Sequence, residues 1–108
     1  MLRRPDFGDN FAQSLTWGMR KSIHSWQSQV VGASLKAVRE RAGLTQRELC
    51  RRLDREHSFV SKYESGERRV DLAEFYWICR ACGADPEAEA SHLMKTFARM
   101  DPARGHGG

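Results

Sequence analysis

Long apolar runs are missing from this chain: nowhere in its 108 residues is there anything near the ~20 consecutive apolar side chains that span a bilayer. No signal-peptide pattern opens it either, so a soluble cytoplasmic protein is the expectation. Cysteine is scarce. Cys50, Cys79 and Cys82 are an odd number and too few for a disulfide framework, which fits a reducing compartment. No stretch alternates apolar and polar residues with period two, which argues against a sheet. There is no glycine-rich phosphate loop, and no Ser/His/Asp or Cys/His/Asn grouping that would build a nucleophile. An enzymatic site and a cofactor are therefore not expected. Cys79 and Cys82 have the spacing of a redox or metal motif, and His92 could add a third ligand, but a closed zinc site wants four. Both cysteines also fall near a helix C-terminus, where the dipole disfavours thiolate, and on an apolar stripe. Core filling is the favoured reading, and no metal site is assigned.

What charge there is lies unevenly. Between Lys36 and Arg69 ten Lys/Arg face six Asp/Glu, an excess of four; between Val70 and Ala98 two face five, a deficit of three. A basic middle beside an acidic flank suggests one face that meets a polyanion. Length allows one domain with an arm or tail. We read residues 1–25 as an N-terminal arm, with a helical turn near residues 10–15, residues 26–98 as the domain, and residues 99–108 as a flexible, disordered tail.

Helical signals then recur along the domain. Val31, Leu35, Val38 and Ala42 form one stripe of a helix that Gly43 ends. Thr45 and Glu48 have capping-box spacing, opening a short helix with Leu49 and Leu53 inward. After Asp54, Arg55 and Glu56 a third helix is expected over residues 57–65, with Val60 and Tyr63 in the core and Gly66 at its end. Asp71 and Glu74 repeat the capping box for a fourth helix whose stripe is read as Leu72, Phe75, Tyr76, Cys79 and Cys82, stopped by Gly83. Asp85 before Pro86 opens a fifth, to about Ala98, with Ala90, Leu93, Met94 and Phe97 on its apolar side. The expected fold is all-α.

Two short helices joined by a tight turn suit a helix-turn-helix, whose second helix enters the major groove. Leu49, Leu53 and Val60 can grip the pair together, Cys50 is small enough for the crossing, and His57, Ser58, Ser61 and Lys62 offer hydrogen-bonding groups outward. The pattern Leu44-Thr45-Gln46-x-x-Leu49-Cys50-x-x-Leu53, then Ser58-x-Val60-Ser61-x-x-Glu64-x-Gly66, resembles the phage-repressor (Xre-type, lambda-repressor-like) helix-turn-helix family from about Val31 to Gly83. That resemblance implies a compact five-helix domain with helices 2 and 3 as the motif. It implies that Gln46 meets a DNA phosphate at a helix N-terminus, that His57, Ser58, Ser61 and Lys62 reach base edges, and that Ser65, Arg68 and Arg69 contact the DNA backbone. Arg39 and Glu64 match a structural pair tying helix 1 to helix 3. Two departures stand out: Asp54 replaces the usual glycine, and Arg55-Glu56 replaces an apolar residue and a serine.

Some residues admit two readings. Lys62 can donate to guanine or to a phosphate, His57 can read a base or cap helix 3, and Phe59 can touch a thymine methyl or pack against the turn. Arg47, with Arg51 and Arg52, lies on a solvated face and is the one of the three placed to approach a phosphate. Trp77 lies opposite the fourth helix's apolar stripe between Ala73 and Ala81, an outward strip suited to a dimer or partner contact. The functional expectation is a double-stranded-DNA-binding transcription regulator, a repressor acting as a homodimer. The alternative is an antitoxin or other protein-interaction module with a protein partner; a thiol-based redox sensor is a third, minor reading.

Overall fold

The computed structural model describes residues 25–102; the expected arm but for Ser25, its helical turn and residues 103–108 of the expected tail lie outside them, while Arg99 and Met100, expected in the flexible tail, continue the last helix. Among the described residues there are five helices and no strand: α1 Trp26–Arg41, α2 Gln46–Leu53, α3 Ser58–Glu64, α4 Leu72–Ala81 and α5 Pro86–Met100. Local chemistry sets most of their starts. Thr45 and Asp71 each accept a hydrogen bond from the backbone N–H three residues on, while Glu48 and Glu74 reach back to the cap N–H, so both capping boxes are complete. Asp85 caps α5 through the Glu87 N–H, with Pro86 in the first turn, where its missing donor costs nothing.

Helix α1 packs on α3 and α5, α2 on α3 and α4, and α4 on α5. Between them lies one core: Leu35, Leu49, Cys50, Phe59, Val60, Tyr63, Phe75, Ile78, Cys79 and Leu93. Trp26 and Phe97 meet edge to face, centroids 5.7 Å apart, and close the α1–α5 end. Cys79 is buried, and loss of solvent pushes its thiol up to about 11; Cys82, half-buried, is raised for the same reason. Both are protonated packing groups at neutral pH.

Three sequence expectations need correction. Leu72 and Tyr76 do not join the core: Leu72 is 80% exposed and Tyr76 41%, and Ile78 is buried in their stead. Phe75 and Cys79 belong to two overlapping helical stripes, and α4 turns so that the fully apolar one, Phe75-Ile78-Cys79, faces inward. The phenol of Tyr76 stays outside and accepts a hydrogen bond from Arg80 at 3.0 Å. Met94 is likewise exposed, because Ala90, Leu93 and Phe97 already form the buried seam of α5. Ala42 is exposed as well, since it caps α1 beyond the packed face.

Candidate nucleic-acid interface

The turn between α2 and α3 is set by Asp54. Its backbone is left-handed (φ 56°, ψ 47°), the region glycine enters freely and aspartate tolerates better than most residues. This conformation lets the Asp54 N–H reach the Arg51 carbonyl at 3.1 Å and the Arg55 N–H the Cys50 carbonyl at 2.9 Å. Those bonds end α2 and turn the chain into α3, so the replacement of glycine leaves a tight turn intact. Cys50, fully buried at the crossing, packs with its Sγ 3.5 Å from the His57 carbonyl.

Helix α3 is divided cleanly by its period. Phe59, Val60 and Tyr63 are buried; Ser58 and Ser61 are half-buried, and Lys62 and Ser65 are exposed. Residues 58, 61, 62 and 65 fall at i, i+3, i+4 and i+7, one outward face of the helix. His57 is exposed at the N-cap and makes no side-chain capping bond, while Phe59 is packed inward, its ring 5.3 Å from that of Tyr63. The Ser61 hydroxyl donates to the Ser58 carbonyl and that of Ser65 to the Lys62 carbonyl or the Glu67 carboxylate, and each oxygen keeps lone pairs that can accept.

Beneath that face, Arg39 of α1 and Glu64 at the end of α3 form a two-pronged pair at 2.7 and 3.0 Å. Arg39 also donates to the Leu44 carbonyl at 2.8 Å, and the Gln46 side-chain amide donates to Glu64 at 2.9 Å. Gln46 therefore sits at the start of α2 with one amide N–H engaged and one remaining. Arg47 is exposed beside it, and Arg69 is exposed in the loop after α3.

Sequence reasoning did not foresee a second charged knot. Arg55, in the turn before α3, and Arg68, in the loop after it, both approach the Phe59 ring, with guanidinium carbons 3.9 and 4.8 Å from its centroid. Both also meet Glu74 of α4: Arg55 at 3.2 Å, Arg68 through two nitrogens at 3.1 and 2.9 Å. Arg68, the Asp71 N–H and Arg55 hold the Glu74 carboxyl down to about 2, against the opposing effect of burial. A carboxylate lowered in the folded state contributes stability that is present above its unfolded value and is lost as pH falls through the folded one. Acid denaturation should accordingly remove about 1–2 kcal/mol through Glu74 between pH ~5 and pH ~2, allowing for solvent screening at this rim position. Urea melts of the protein and of Glu74→Gln check this: the variant should lose less stability over that range, and parallel curves would refute the assignment.

The outward face of Ala73 and Trp77 on α4 is open, with Trp77 60% exposed and its ring edge-on to Tyr76 at 5.0 Å. Ala81, by contrast, is half-buried against the core.

A short second helix, a tight turn and a third helix with one polar face outward define a helix-turn-helix DNA-binding domain. The sequence model of the helix-turn-helix domain family matches residues 30–93. An XRE-family like protein from Pseudomonas syringae pv. tomato is similar at 44% identity and a TM-score of 0.63, over 73% of this chain and 96% of that one. The clp gene regulator ClgR from Corynebacterium glutamicum is similar at 26% identity and 0.56, over 75% of this chain and 90% of that one. No curated protein matches. The chain belongs to the Xre-type helix-turn-helix family of DNA-binding transcription regulators.

Proposed function

We propose that the chain is a sequence-specific repressor that binds duplex DNA as a homodimer in the cytoplasm, laying α3 in the major groove without catalysing a reaction. One observation carries this reading: His57, Ser58, Ser61 and Lys62 share the outward side of α3 while Phe59, Val60 and Tyr63 anchor its other side. The first four contact base edges. Gln46, Arg47, Ser65 and Arg69 flank them at the N-terminus of α2 and beyond α3, where phosphates of the two groove walls would lie; Arg68, which the family resemblance places with them, instead has its guanidinium engaged by Glu74.

The test separates the two groups. A duplex selected by the wild-type protein from a random pool is compared with a scrambled duplex of equal length. Lys62→Ala should cost about 1–3 kcal/mol on the selected duplex and relax preference at one base pair. Arg69→Ala should weaken both duplexes alike and flatten the dependence on salt by about one unit of slope. If the wild-type protein enriches no sequence at all, the reading fails.

The dimer is assigned to the open α4 face, with Trp77 at its centre and Ala73 beside it, because a large exposed aromatic next to a small residue suits a close contact; Ala81, expected on the same strip, packs against the core instead. Trp77→Ala should shift sedimentation toward monomer and weaken binding to the selected duplex. An unchanged profile overturns this assignment. A stable heteromeric complex through that face would favour an antitoxin-like role instead.

A further inference from the structure

The Arg55–Phe59–Arg68–Glu74 knot has a geometry that packing alone does not require. Two cations from opposite ends of the recognition helix converge on one aromatic ring. Like charges so placed repel unless an anion lies between them, and Glu74 supplies it to both. Glu74 is itself held by the Asp71 N–H at 2.9 Å, so the anion is fixed to the first turn of α4. Arg68 also donates to the Arg69 carbonyl at 2.7 Å, which ties the backbone of the loop after α3 to the same knot. Arg55 and Arg68 therefore meet at the buried Phe59 ring, on the side of α3 that faces α4, and the three charges sum to only one positive.

We propose that Glu74 is a positioning residue for sequence discrimination: it holds the Arg55 and Arg68 side chains on Phe59 and so withholds two mobile cations from indiscriminate contact with DNA phosphates. The proposal rests on the DNA-binding reading above and adds a claim about selectivity. A released arginine that finds a phosphate strengthens binding to every sequence alike, since it gains counterion release without reading a base. Fixed on the ring by Glu74, the same cation brings no such gain to a non-cognate duplex and keeps α3 and the following loop in register.

The test is Glu74→Gln, which keeps side-chain size, a carbonyl acceptor and the capping-box spacing while removing the charge. Affinity for the selected and the scrambled duplex is measured from low to moderate salt. The scrambled duplex should bind roughly five- to tenfold more tightly near 0.1 M salt, the gain of about one added phosphate contact, with a slope steeper by about one. Affinity for the selected duplex should rise less, so the ratio of the two falls. If both affinities drop together with the slope unchanged, Glu74 only supports the fold and the proposal is overturned, while DNA recognition stands. If the wild-type protein selects no sequence, it is the underlying reading that fails. Arg55→Gln guards against a Glu74 variant that does not fold. With Arg55 withheld in the wild-type protein, its loss should leave the salt slope unchanged; a slope flatter by about one would make Arg55 a phosphate contact and overturn the proposal.

Discussion

Gly32→Ala is expected to destabilise the domain by about 2–4 kcal/mol, although alanine is the better helix former by about 1 kcal/mol. The reason is where α1 crosses α3. A Cβ at Gly32 would lie 2.3 Å from the Tyr63 carbonyl oxygen and 2.9 Å from that of Glu64. Both are backbone atoms at the end of the recognition helix, so no side-chain rotation relieves the clash. The helices must separate, and the face that separates holds Leu35, Val38 and the Arg39 pair, all on the same side of α1. For a domain of this size the loss corresponds to a drop of roughly 10–25 °C in melting temperature. Thermal and urea melts of Gly32→Ala check it. A melting temperature at or above that of the parent would mean that α1 and α3 do not approach this closely.

That glycine carried a signal in the sequence. Glycine inside an otherwise helical stretch is costly, and its presence points to a close backbone approach; the apolar stripe of Val31, Leu35 and Val38 passes beside position 32 without including it. The capping boxes at Thr45 and Asp71 were legible because they depend on residues three apart. The outward face of α3 was legible for a similar reason, since helical period alone places residues 58, 61, 62 and 65 together. The rotation of α4 was not, because Phe75 and Cys79 serve two stripes equally, and only the packing against α2 and α5 chooses Ile78 over Leu72 and Tyr76. The Glu74 knot was hidden for another reason. Its carboxylate already had a local task in the capping box, and nothing local indicates that the same group also accepts from Arg68 and from Arg55, nineteen residues away. Asp54 taught the opposite lesson: a departure from the family's glycine keeps the family's turn, because aspartate can adopt the same left-handed backbone.

Glu64→Ala should have the larger effect still, about 3–5 kcal/mol, because it strands a charge rather than a methyl group. Arg39 is 9% exposed, and its guanidinium spends two nitrogens on Glu64 and a third on the Leu44 carbonyl. Removing the carboxylate leaves that cation without its partner in a site where water cannot replace it well. Removing both ends is a different matter. A buried ion pair exchanged for apolar side chains of similar size is often neutral in stability, so Arg39→Met with Glu64→Leu should recover much of the loss. The double-mutant cycle should show a coupling of about 1–3 kcal/mol, read from urea melts. Simple additivity would mean that the pair contributes little. The DNA face should register the difference even where stability is recovered. Glu64 accepts from the Gln46 amide as well, and a leucine cannot, so the double variant should fold while Gln46 loses its anchor at the start of α2. Weaker binding to selected and scrambled duplexes alike, in a protein of near-parental stability, is the expected result, since the phosphate contact proposed for Gln46 carries no sequence preference.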